Sequence, residues 1–156
     1  MKTVDGREST REIVEHPDCV AIVAVDAGDN ILLVRQFRKS VEKELLEIPA
    51  GGIEPGEEPE LAVEREMREE TGLQPRKVER LGGFYSSPGF STEYLHLFLA
   101  TDMIENPLVA EDTPGITLVT VSKQEIPKLI VSGAICDSKS IAGLYSYLNI
   151  YSKSNR

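Results

Sequence analysis

Three glutamates, Glu66, Glu69 and Glu70, stand at i, i+3 and i+4 in a chain of 156 residues. On a helix of 3.6 residues per turn they share one face, within an arc of about 100°. Like charges at this spacing weaken a helix by about 0.2–0.5 kcal/mol per pair. The helix dipole also disfavours anions toward the C-terminal end. Arg65 reaches Glu69 at i+4, but one guanidinium does not neutralise three carboxylates, so the cluster calls for a further cation. Oxygen-only ligands in this arrangement suit Mg2+ or Mn2+, hard ions held by a few carboxylates together with water and substrate phosphate. A solvated acidic helix face is the alternative reading. The flanks weigh against it, because Gly51, Gly52 and Gly56 build a tight loop before the helix and Arg65 sits among the acids.

The elements that must position this cluster can be read from the surrounding pattern. The carrier helix is predicted over Pro59–Thr71, with Pro near the first turn, an acidic first turn, and Gly72 placed just past the end. Cys19–Val25 and Ile31–Gln36 are β-rich runs separated by Asp-Ala-Gly-Asp-Asn at 26–30, which reads as a hairpin turn. A third strand, Glu44–Ile48, ends at Pro49-Ala50-Gly51-Gly52. Lys77–Tyr85 and Tyr94–Thr101 form another pair, joined by Ser86-Ser87-Pro88-Gly89-Phe90, and Ile116–Val121 is a further strand. Tyr94, His96 and Phe98 alternate with Leu95, Leu97 and Leu99, which predicts a strand buried on both faces. Helices are expected at Glu125–Val131 and at Ser138–Tyr151, where Ile141, Leu144, Tyr145 and Leu148 recur at helical spacing. Strand pairs with three helices and no βαβ rhythm indicate an α/β fold, a sandwich around a mixed sheet. The length fits one domain over residues 1–156.

Composition narrows the partners. With 40% hydrophobic and 28% charged residues, the chain has the make-up of neither a membrane-spanning nor a disordered protein. A net charge of −9 argues against binding a nucleic-acid backbone. The longest apolar run, Cys19–Val25, is too short to span a bilayer, and Met1–Thr10 lacks the apolar core of a signal peptide. A cytoplasmic protein with no membrane partner is expected. Cys19 and Cys136 match no metal-ligand spacing and read as reduced, partly buried thiols. The acid is focused: residues 51–73 hold eight Glu against Arg65 and Arg68, so −6 of the −9 lies there. An anionic substrate is therefore compatible with the charge, through cations that the carboxylates collect.

The stretch Gly51–Leu73 resembles the Nudix box, Gly-x5-Glu-x7-Arg-Glu-U-x-Glu-Glu-x-Gly-U with U apolar. The pattern falls on Gly51, Glu57, Arg65, Glu66, Met67, Glu69, Glu70, Gly72 and Leu73 without a gap. The resemblance implies a Nudix-type α/β/α sandwich whose catalytic loop–helix–loop binds a divalent metal and hydrolyses a nucleoside diphosphate linked to another moiety. By position, Glu66, Glu69, Glu70 and the Ala50 carbonyl would be metal ligands, and Arg65 would orient the glutamates. Glu57 ranks lower. Bound Mg2+ neutralises pyrophosphate charge and lowers the pKa of water, and a nearby carboxylate removes the proton.

Outside the box the chain is similar to ADP-ribose pyrophosphatases, which yield AMP and ribose 5-phosphate. Pro88 lies sixteen residues after Gly72, the spacing that marks the subfamily; Ser-Ser-Pro-Gly-Phe alone reads as a tight hairpin turn, but with that spacing Pro88 is expected in a substrate-binding loop. Arg38 and Gly51 are expected in the substrate site. The Arg38 fork suits phosphate oxygens, with a salt bridge to Glu42 or Glu44 as the alternative. Arg11 resembles a substrate contact supplied in relatives from either subunit. The general base falls in the loop Ala110–Ile116, at Asp112, or at Glu111 after a one-residue shift, with Glu69 as fallback. Phe37, Tyr85 and Phe90 read as core or loop packing, and His16 and His96 as structural. A short strand segment over about 1–16 stands where relatives exchange a longer one between subunits, so a homodimer would use other surfaces. Another nucleoside diphosphate sugar or a damaged nucleotide is the alternative substrate. A non-catalytic nucleotide sensor would not require the full acid set.

Overall fold

The apolar run Cys19–Val25 forms strand β1, and each of its residues is buried. The computed structural model describes residues 4–110 and 115–151. Side chains alternate across a strand, so β1 feeds two separate cores. Cys19, Ala21, Val23 and Val25 belong to one apolar cluster, and Val20, Ile22 and Ala24 to the other. The chain continues through β2 (Asn30–Arg38), β3 (Lys43–Glu47), β4 (Ala50–Gly52), α1 (Pro59–Thr71), β5 (Leu73–Tyr85), β6 (Tyr94–Glu105) and β7 (Thr117–Ser122). It closes with α2 (Ile126–Val131), α3 (Ser138–Ser146) and a π-helical turn at Tyr147–Tyr151.

The sheet runs β3-β2-β1-β6-β5. β1 and β6 are parallel, from Cys19 opposite Leu95 to Ala24 opposite Ala100, while the other pairs are antiparallel, so the sheet is mixed. The second edge of β1 is shared. Its start pairs with β4, with Val20 opposite Gly51, and its end pairs with β2. β7 lies along the first two thirds of β2, from Asn30 to Arg35. On one face α1 packs Ala62, Val63 and Met67 against Val20, Ile22 and Phe98. On the other, Leu144 of α3 and the following Tyr147 join Ala21, Val23 and Leu97. This is the expected α/β/α sandwich, and Phe98 set against Leu97 and Leu99 confirms that β6 is buried on both faces.

The differences from the sequence reading have local causes. β4 is a strand because β1 lies opposite it, not because Ala-Gly-Gly favours extension. β5 begins at Leu73 rather than Lys77. Gly72, at φ 75°, turns the chain straight from α1 into the strand, and Pro75 is tolerated on an edge strand. The last helix changes to a π turn after Ser146. Residues 4–16 hold single-residue bridges, one of them Val14 with Ser91, rather than a strand. Their few large apolar residues, Val4, Ile13 and Val14, are exposed, so there is no apolar face to bury. Cys136 is exposed where partial burial is expected, and Cys19 is buried. Among the described residues no helix is long and apolar enough to cross a membrane.

Candidate active site

α1 opens with Pro59 in its first turn and closes on Gly72, whose N–H donates to the Arg68 carbonyl oxygen at 3.2 Å. Between these ends, Arg65 organises the acids. Its Nε and Nη2 donate to the two Glu57 oxygens at 2.9 Å each, and Nη2 also reaches the Gly52 carbonyl at 2.7 Å. Nη1 donates to Glu66 Oε1 at 2.6 Å and to Glu69 Oε2 at 3.3 Å. One side chain thereby ties the loop before α1 to the helix and orients two of the three glutamates. These contacts hold Arg65 firmly protonated. Glu57 also accepts from the Glu54 N–H at 2.9 Å, so it clasps the loop, and its carboxyl lies below the usual carboxylate range, chiefly through Arg65.

Gly51 explains itself by what covers it. A Cβ built there would lie 2.0 Å from Glu66 Cδ, with both carboxylate oxygens at 2.2 Å or less. Only a residue without a side chain lets strand β4 lie against the Glu66 carboxylate. Glu70 turns instead to the neighbouring residue, accepting the Ala50 N–H at 3.1 Å. Burial pushes its carboxyl up to about 8, and the Glu66 charge adds to this against the Ala50 bond. Such a shift in a cleft marks a candidate functional site. Glu66 and Glu70 set oxygen donors beside β4, and Glu69 is joined to Glu66 through Arg65 Nη1, an all-oxygen set that fits a hard divalent ion.

Opposite the acids stand two cations. Arg38, at the end of β2, donates from Nε and Nη2 to Glu47 at 2.9 and 2.7 Å. Its partner is therefore Glu47 rather than Glu42 or Glu44. Glu47 is 1% exposed and also accepts from Lys139 Nζ. Burial pushes the Glu47 carboxyl up, but Arg38 and Lys139 outweigh it and hold it low. Lys139 bonds Asp137 Oδ1 at 2.9 Å, and the same oxygen caps α3 by accepting the Ser140 N–H. A cavity of about 470 Å³ is lined by Arg38, Glu47, Ala50, Gly51 and Lys139 among others. A smaller one, about 190 Å³, is lined by Gln36, Arg38, Glu66, Glu70 and Ile116 among others. The two meet at Arg38 and β4, so carboxylates and cations face a common space.

The structure thus brings together Arg38, Ala50, Gly51, Arg65, Glu66, Glu69 and Glu70. It does not bring Arg11 to them: its partners are Ser9 and the Thr10 carbonyl, on its own segment. Pro88 lies in the loop between β5 and β6, of which Ser86 and Glu93, but not Pro88, line the larger cavity. Glu111 and Asp112 lie outside the described residues. Phe37, Tyr85 and Phe90 are each more than half exposed, so they are not core. His96 is structural, bonded to Arg80 and Asp18, whereas His16 lies beside Cys19 and Glu93. Sequence reasoning overlooked Glu47 and Lys139. A glutamate inside Leu-Leu-Glu-Ile was the available signal for the first.

The NUDIX domain family model matches residues 15–132, and the chain belongs to this family. It is 40% identical over 138 residues to an ADP-ribose pyrophosphatase of Bacillus subtilis (strain 168), covering 87% of this chain and 75% of that one. It is 37% identical over 148 residues to a methanol dehydrogenase activator of Bacillus methanolicus, covering 94% and 80%. Its fold is similar to that in a crystal structure of an ADP compounds hydrolase, with a TM-score of 0.89 at 20% identity, covering 99% of this chain and 84% of the other.

Proposed function

We propose that this protein is a divalent-metal-dependent pyrophosphatase that hydrolyses ADP-ribose to AMP and ribose 5-phosphate. The observation that carries this reading is the placement of Glu66 and Glu70 beside β4, with Glu69 tied to Glu66 through Arg65, and of Arg38 and Lys139 on the adjoining cavity. The ADP-ribose pyrophosphatase relative at 40% identity supports the substrate. Mg2+, or Mn2+, would be held by the three glutamates and the Ala50 carbonyl. When bound, such an ion screens phosphate charge and lowers the pKa of water.

The chain's own residues do the rest. Arg38 is pre-set by Glu47 and offers its remaining N–H groups to phosphate oxygens, where a planar fork grips best. Arg65 spends its donors on Glu57, Gly52, Glu66 and Glu69, so it positions carboxylates rather than substrate. Glu69, whose Oε2 accepts from Arg65 Nη1, would take the proton from the attacking water. Glu111 and Asp112 are the other proposed acceptors. Water oxygen bonds to phosphorus, the bridging P–O bond breaks, and the two monophosphates leave.

A panel of ADP-ribose, GDP-sugars and oxidised nucleoside triphosphates, read by product chromatography with Mg2+, tests this. The highest kcat/KM should fall on ADP-ribose. A clear preference for another member would support the second reading, which the differently named relative at 37% identity keeps open.

A further inference from the structure

Besides the three glutamates of α1, the protein has a second group of donors, in the larger cavity and of another chemical kind. His16 Nδ1, Cys19 Sγ and a Glu93 carboxylate oxygen all lie within 4.8 Å of one another, and all three residues line the cavity. We propose that they form a site for a borderline-soft divalent cation of the Zn2+ class. This goes beyond the hydrolase reading and does not rest on it.

The donors come from separate parts of the chain and are held by a defined frame. Val14 N–H donates to the Phe90 carbonyl at 2.7 Å, and Thr92 N–H to the Val14 carbonyl at 3.0 Å. His16 N–H donates to Thr92 Oγ1 at 2.8 Å, and that hydroxyl donates back to the His16 carbonyl at 3.1 Å. The segment before β1 is thus stapled to the loop before β6, which sets His16 beside Glu93. Cys19 opens β1 and faces the same point.

The spacing suits the ion. Bonds of about 2.3 Å to sulfur and 2.0 Å to nitrogen, in tetrahedral geometry, set S and N about 3.5 Å apart. Here His16 Nδ1 lies 3.8 Å from Cys19 Sγ and 3.8 Å from Glu93 Oε1, so these two pairs need to close by only a few tenths of an ångström, and the third lies within 4.8 Å. Coordination replaces the present contact of Nδ1 with the Pro17 carbonyl at 2.8 Å. The Cys19 proton is released to solvent as the thiolate forms. Imidazole with thiolate selects Zn2+ over Mg2+, whereas the all-oxygen acids of α1 favour the harder ion. Three protein donors leave a fourth position open to the cavity.

Co2+ is the direct probe, since a cobalt–thiolate bond gives a near-ultraviolet charge-transfer band that oxygen ligands do not. The full chain titrated with Co2+ alone, without nucleotide, should develop this band at one equivalent, and Zn2+ should abolish it. Cys19→Ser should remove the band, and His16→Ala, at an exposed side chain, should weaken Co2+ binding at the band by about tenfold or more. Cys136→Ser and Glu66→Gln should leave it intact. A titration with no thiolate band overturns the proposal, as does a band that survives Cys19→Ser or vanishes with Cys136→Ser. His16→Ala without effect also overturns it, and decides the matter if Cys19→Ser does not fold. The spectrum needs no turnover, so its failure is distinct from a failure to hydrolyse ADP-ribose.

Discussion

Replacing Gly51 by alanine isolates the geometry on which the glutamate cluster depends. The new Cβ would fall 2.0 Å from Glu66 Cδ, where carbon atoms in contact keep about 3.5–4.0 Å. The carboxylate must therefore retreat by about 1.5 Å or turn aside. Its 2.6 Å bond to Arg65 Nη1 is stretched or lost in the process. Because the crowded atoms are the end of a flexible side chain, the fold yields cheaply. The charge-assisted bond to Arg65 is worth about 1.5–3 kcal/mol, which corresponds to a Tm fall of about 3–12 °C in a chain of this size. Misplacing a catalytic group by about 1 Å costs on the order of 100-fold in rate, or about 2.7 kcal/mol of barrier. Steady-state hydrolysis of ADP-ribose with saturating Mg2+, alongside thermal unfolding, separates the two effects. Gly52→Ala is the comparison, since its Cβ meets nothing within 4 Å, and it should lose far less activity. A Gly51→Ala enzyme with kcat near wild type would refute the idea that Glu66 must sit against β4.

Arg65→Lys should cost at least 100-fold in kcat and roughly 2 kcal/mol or more in stability, because an ammonium cannot serve Glu57, Gly52, Glu66 and Glu69 together; kinetics and urea unfolding check this. Glu47→Ala leaves Arg38 and Lys139 without their shared buried partner and should cost about 3 kcal/mol, measured by denaturant titration. The Glu47 carboxyl lies below its ordinary value of 4.5, so its contribution is present above that pH and lost as pH falls through the lower folded value. Wild type should therefore be acid-labile below about pH 4.5, and Glu47→Gln should flatten that limb. Glu70, raised to about 8, holds a proton at neutral pH without metal. Mg2+ added in weak buffer at pH 7 should release protons, and Glu70→Gln should reduce the release.

The parts of this molecule legible in its sequence are those decided by nearby residues. α1 can be bounded at Pro59 and Thr71 because proline and Gly72 punctuate it, and the i, i+3, i+4 acids can be placed on one face by arithmetic alone. β1 and β6 announce themselves as apolar runs. What escapes the sequence is decided across space. β4 is extended only because Val20 and Ala21 lie opposite Gly51 and Ala50. Arg38 finds Glu47 nine residues on, and not the nearer Glu42 or Glu44, although the β2–β3 register sets Lys43 opposite Arg38 and Glu47 opposite Val34. Lys139 comes from α3, ninety-two residues beyond Glu47. His16 meets Glu93 only because the segment before β1 is bonded to the loop before β6.

On the proposed function, the glutamate face of α1 makes this chain a metal-dependent pyrophosphatase of ADP-ribose. This is tested most directly by AMP release from ADP-ribose with Mg2+, with chelator, and by Glu66→Gln. The intact protein should give AMP and ribose 5-phosphate in equal amounts and none after chelation, and the variant should lose about 100-fold or more in rate. AMP release that survives both chelator and Glu66→Gln, or no AMP from the intact protein, would contradict it.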